Sequence, residues 1–133
     1  MKTKKLKTAP KNNLLEKKPR PSLIPLDVLI KHLCPAYEEG IIKYSRESWR
    51  EGFYVSVMID AALRHISKFF YEGEELDKDA LKLGIKKHHL GGALFSILSI
   101  LHTLDTRPEL DDRRIISNDK RNRKTNRRNS KRT

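Results

Sequence analysis

Two stretches decide the fold: VSVMIDAALRHISKFF at residues 55–70 and HHLGGALFSILSILH at residues 88–102. In the first, Val55, Met58, Ile59, Ala62, Leu63, Ile66, Phe69 and Phe70 recur at i, i+3, i+4 and i+7, the stripe of an amphipathic helix. The second is apolar on most faces, which predicts the central helix, with Leu94, Phe95, Leu98 and Leu101 largely buried. Adjacent glycines weaken a helix by about 1 kcal/mol each relative to alanine. Gly91-Gly92 therefore predicts a close approach of another helix or a ligand.

Upstream, Leu26, Leu29, Ile30, Leu33 and Tyr37 form a further helical stripe, with a kink or break expected at Pro35 and a second break at Gly40. Lys43 to Gly52 reads as a loop, and Glu74 to Asp79 as an acidic turn after the stop at Gly73. Pro108 ends the pattern, and no stretch alternates with period two. The expected class is all-α, a small bundle of three to five helices. So few helices cover their apolar faces poorly, which predicts a homo-oligomer.

The chain has 133 residues and a formal charge of +12, distributed unevenly. Residues 1–20 carry +7, residues 113–133 carry +9, and residues 21–112 carry −4. The sequence therefore divides into a basic arm (1–20), a mildly acidic helical domain (21–112) and a basic tail (113–133). Residues 117–133 hold no apolar side chain and cannot bury enough surface to offset chain entropy, so the tail is expected to be disordered. A single cysteine, Cys34, excludes an internal disulfide and argues against a structural zinc site. No apolar run is long enough to span a membrane, and no apolar segment before Pro10 suggests a secretory signal. The expected compartment is a reducing cytoplasm, or the nucleus.

Polar residues on the apolar helices are the candidates for chemistry. Glu38 and Glu39 end the first helix, Asp60, Arg64 and His65 lie on the second, Glu74 and Asp77 lie in the acidic turn, and His88-His89 open the third. Carboxylates and imidazoles converging from several helices are how bundles build metal and phosphate sites. Plainer readings stand beside these. Asp60 and Arg64 suit an i, i+4 surface ion pair, and His65 a hydrogen-bonded core histidine. His88-His89 suits an idle helix start, the acidic turn a solvated one, and Trp49 a packing plug. No Walker loop, HExxH, GxSxG or adjacent His-Asp pair occurs.

The segments Lys18-Pro-Arg-Pro-Ser-Leu-Ile-Pro25, Tyr37-Glu-Glu-Gly40, Lys43-Tyr44, Trp49-Arg-Glu-Gly52, Asp60-Ala-Ala-Leu-Arg-His65, Gly73-Glu74 with Asp77, His89-Leu90 and Leu110-Asp-Asp-Arg113 come in a telling order. Over residues 18–113 the chain resembles the N-terminal domain family of phage dATP/dGTP diphosphohydrolases, grouped with MazG-like nucleotide pyrophosphohydrolases. The resemblance implies a Mg²⁺-dependent enzyme acting on purine deoxynucleoside triphosphates, in the cytoplasm of a phage-infected cell. It suggests Glu38, Asp60, Glu74 and Asp77 as metal ligands, and Arg64, His65 and His89 as catalytic groups. Lys43, Tyr44 and Trp49 would bind substrate. No ExxE stands at Glu38 or Glu39, whereas Glu74-Glu-Leu-Asp77 fits ExxD. Gly92 and Ser96 stand where the family pattern often has a second His and an Asn. The alternative is a catalytically degenerate helical scaffold that grips nucleic acid through its arms, with Arg121, Arg123, Lys124, Arg127 and Arg128 on phosphates.

Overall fold

The computed structural model describes residues 4–10 and 18–115. Residues 4–10 are exposed and form neither helix nor strand. Residues 113–115 of the C-terminal tail are described, and its five candidate nucleic-acid residues lie outside the described residues.

Among the described residues five α-helices follow one another: α1 (Leu26–His32), α2 (Cys34–Lys43), α3 (Val55–Phe70), α4 (Lys78–Lys82) and α5 (His89–Thr106). Among the described residues there is no β-strand, so the all-α expectation holds. The first stripe breaks between α1 and α2, with Pro35 in the first turn of α2, where its missing N–H leaves no bond unmade. Gly40 makes no second break, because α2 continues through it to Lys43. The expected loop after α2 contains one 3₁₀ turn, Ser48–Glu51.

The main packing interface joins α3 to α5. Val55, Met58 and Ile100 form its centre, with Phe53, Phe95 and Leu104 packed around them. The face that α5 buries differs from the one expected. Gly92, Ala93, Ser96, Ser99, Ile100 and Thr103 are inside. Leu94, Leu98 and Leu101 are exposed, and Phe95 is half-buried. Small side chains allow two helices to approach closely, so α5 turns its small stripe toward α3 and its leucines outward.

The segment after α5 folds back over the start of α3. Asp112 accepts the Ser56 N–H at 2.9 Å and also holds the Ser56 hydroxyl, satisfying one of the open donors of that helix end. Thr103 Oγ1 accepts the Phe53 N–H at 3.2 Å. Gly52, at φ 89°, lies where a Cβ would stand 3.0 Å from the Leu110 side chain.

The acidic stretch is more than a turn. Asp77 caps α4 by accepting the Asp79 N–H at 2.9 Å. Leu76 and His88 form an isolated antiparallel bridge. The Asp77 N–H meets the Lys87 carbonyl at 2.9 Å, and the His89 N–H meets the Glu75 carbonyl at 2.8 Å. These bonds clamp residues 75–77 against 87–89 and bring the functional groups of two distant sequence segments together.

Candidate functional site

At the meeting of α2, α3, α5 and the bridge, charged and imidazole groups are buried together. Lys87 is 5% exposed, and its Nζ lies 3.1 Å from both Glu39 Oε1 and Asp77 Oδ2. Lys43 Nζ also lies 3.1 Å from Glu39 Oε1. Glu39 Oε2 is buried with no hydrogen-bond partner. A carboxylate oxygen left bare inside a protein is costly, so it is a place where a ligand's N–H or O–H is favoured.

His65 on α3 reaches His89 at the start of α5, with the two Nδ1 atoms 2.9 Å apart. His89 is buried, its Nε2 has no hydrogen-bond partner, and Glu74 Oε2 stands 3.8 Å from it. One nitrogen of each imidazole and one oxygen of Asp77 lie within 4.8 Å of one another. Burial, together with the Lys87 charge, pushes the His65 pKa down and keeps the ring neutral near pH 7. For Asp77, burial works toward a higher pKa. The Lys87 hydrogen bond and charge and the Asp79 N–H outweigh it and hold the carboxyl below its ordinary value.

The paired glycines make room for this arrangement. A Cβ on Gly92 would stand 2.8 Å from His65 Nε2, and one on Gly91 would stand 2.1 Å from the His32 carbonyl oxygen. Gly91 thus admits the end of α1, and Gly92 admits the His65 ring.

Two cavities meet here. The first, about 360 Å³, has aromatic walls from Tyr37, Tyr44, Trp49, Phe53 and Phe95, and a polar end of Glu39, Lys43, Lys87, Arg64 and His65. Tyr37 stands edge-on to both Trp49 and Phe95, at centroid distances of 5.6 and 5.0 Å, which fixes the walls. The second, about 420 Å³, is a groove lined by Lys68, Lys78 and Lys82 and by Glu74, Asp77, Asp79 and His89. Arg64 and His65 line both.

The expected site residues divide accordingly. His65, His89, Arg64, Glu74 and Asp77 surround the groove, and Lys43, Tyr44 and Trp49 line the aromatic chamber. Glu38 and Asp60 are exposed and line neither cavity. On α2 the inward residues are Ala36 and Glu39, so Glu39 takes the place expected for Glu38. Asp60 lies two residues, about 200°, around α3 from the inward-facing Met58 and Ala62. It forms no ion pair with Arg64 among the described residues. Sequence reasoning missed Lys87. Burial alternates there, with Ile85, Lys87 and His89 inside and Lys86 exposed, but Ile85-Lys-Lys-His-His89 carries no matching alternation in hydropathy.

A small helical domain with a buried carboxylate–lysine–imidazole cluster between an aromatic chamber and a groove of mixed charge suits a ligand with one flat and one charged end. The chain belongs to a family described as dATP/dGTP diphosphohydrolase, N-terminal, whose model matches residues 8–113. Searches among curated proteins and among solved structures returned no match. Among the described residues no helix is long and apolar enough to cross a membrane.

Proposed function

We propose that this domain binds a purine deoxynucleoside triphosphate and hydrolyses it to nucleoside monophosphate and pyrophosphate. The observation that carries the reading is the junction of chamber and groove at Arg64 and His65. The base enters the aromatic chamber, where ring stacking contributes about 1–3 kcal/mol. The phosphates extend into the groove toward Arg64, Lys68 and Lys78. In the chemical step a water oxygen attacks the α-phosphorus, and its proton passes to Glu39 Oε2, the bare carboxylate oxygen at the polar end of the chamber. The bond from that phosphorus to the bridging oxygen breaks, and the electron pair leaves on pyrophosphate. The Arg64 guanidinium meets the charge that develops there.

The resemblance also implies Mg²⁺. Two of its four expected ligands, Glu74 and Asp77, reach the groove, which suits an ion carried in on a triphosphate. When bound, such an ion supplies charge neutralisation and a more acidic water. We also propose that the protein works as a homo-oligomer.

The test is a screen of purified protein with Mg²⁺ against the common ribo- and deoxyribonucleoside triphosphates, scoring pyrophosphate and orthophosphate separately. Pyrophosphate release from purine deoxynucleotides is expected, with Glu39→Gln lowering kcat by about 10²–10⁴-fold. Salt-dependent nucleic-acid binding with no turnover would instead favour the scaffold alternative.

A further inference from the structure

We infer that His65, Asp77 and His89 form a binding site for a transition-metal dication of the zinc or cobalt kind, held by the protein without any nucleotide. The donor set is the first ground. Two imidazole nitrogens and one carboxylate oxygen within 4.8 Å of one another suit borderline ions that accept nitrogen, whereas Mg²⁺ prefers an all-oxygen shell.

The second ground is the protonation of the two rings. A neutral imidazole has one N–H and one lone pair. If a proton alone joined the two Nδ1 atoms, one ring would donate and the other accept. His89 Nε2, buried with no hydrogen-bond partner, would then be an N–H facing Glu74 in one tautomer and a bare acceptor facing that carboxylate in the other. With both Nδ1 lone pairs on one cation, the 2.9 Å between them corresponds, on bonds of about 2.1 Å, to a ligand–metal–ligand angle of about 90°, that of adjacent positions in a six-coordinate shell rather than a tetrahedral one. The His89 N–H then lies on Nε2 and faces the Glu74 carboxylate, 3.8 Å away. A carboxylate behind a ligating imidazole is the arrangement that fixes the tautomer and orients the ring in metal sites.

The surroundings carry both signs of charge. Lys87 lies against Asp77 and shares Glu39 with Lys43. Glu74, the carboxylate behind His89, faces Lys68 and Lys78 at 4.0 Å, contacts that a bound dication would loosen. The inference concerns the groove of the proposed hydrolase but is measured on the protein alone, so failure of one reading is distinguishable from failure of the other.

The experiment titrates metal-free protein with Zn²⁺, Co²⁺ and Mg²⁺ by calorimetry and follows the visible spectrum of bound Co²⁺. Expected are one Zn²⁺ or Co²⁺ per chain, Co²⁺ bands that report nitrogen ligation, and no displacement by millimolar Mg²⁺. His89→Ala should abolish stoichiometric binding, and His102→Ala, in a different part of α5, should retain it. Should His89→Ala lose its helical circular dichroism, Glu74→Gln on the groove rim supplies the reading, with affinity expected to fall by about 10–100-fold. No stoichiometric Zn²⁺ or Co²⁺, displacement by Mg²⁺, or unaltered affinity in the His89 or Glu74 variants would overturn the site.

Discussion

Gly91 and Gly92 are neighbours in sequence, yet their replacement should have opposite consequences. At Gly92 the atom in the way is the tip of the His65 ring, which is able to swing aside. Gly92→Ala should therefore keep or raise stability, since alanine improves helix propensity by about 1 kcal/mol, while displacing His65 and losing turnover. At Gly91 the obstacle is the His32 backbone carbonyl, which cannot move without shifting α1. Gly91→Ala should lower the melting temperature. Thermal melts and kinetics on the two variants check the pair, and equal destabilisation would show that neither glycine serves the site in particular. His65 also gives a pH signature. Its pKa is lowered in the fold, chiefly by burial. The unfolded chain therefore takes up the proton first as pH falls through about 6.5. The stability contributed by the neutral ring is present above that value and declines below it, until the folded-state pKa is also passed. Denaturant midpoints between pH 8 and pH 5 should fall in the wild type and fall less in His65→Phe.

The elements show why some of the fold was legible and some was not. The α3 stripe could be read because eight apolar residues repeat with helical period, and α3 runs over Val55–Phe70 as that pattern predicts. The inward face of α5 could not be read from hydrophobicity, because its buried positions are glycine, alanine, serine and threonine. Close approach of α3 selected for size, and the leucines signalled the other face. The bridge between residues 75–77 and 87–89 was harder still, since two or three extended residues give no countable period. It is nevertheless this bridge that carries Lys87 and His89 to Asp77, so half of the cluster had no local signal in hydropathy. Lys87 there separates two buried carboxylates. Lys87→Met would leave both without their shared cation, and removing one partner of a buried ionic group typically costs about 3–5 kcal/mol. Equilibrium denaturation should show a loss of that size. A variant as stable as the wild type would mean that Glu39 and Asp77 find water instead.

Across the whole molecule, a small centre is outweighed by apolar surface left outside. On α5, Leu90, Leu94, Ile97, Leu98 and Leu101 are 37–54% exposed, and their spacing makes one continuous stripe. On α3, Ile59, Leu63, Ile66 and Phe70 are 40–71% exposed and also follow i, i+4, i+7, i+11. Scattered exposed leucines are ordinary, but contiguous stripes on the two helices that form the core are the surface that the proposed oligomer would cover. A small domain alone buries a modest share of its chain and is marginal, and a second copy relieves both problems at once. Light scattering at micromolar protein should therefore give a mass that is a multiple of the 15.5 kDa chain. Leu94→Glu with Leu98→Glu places charges in the α5 stripe without touching its buried small face. This double variant should become monomeric and melt at a lower temperature, with a wild-type helical signal at low temperature. Since Leu94 and Leu98 line neither cavity, nucleotide or metal binding that survives in the monomer would separate assembly from the site. A wild-type protein that remains at 15.5 kDa up to high micromolar concentration would end the oligomer reading and leave the leucine stripes as bare surface.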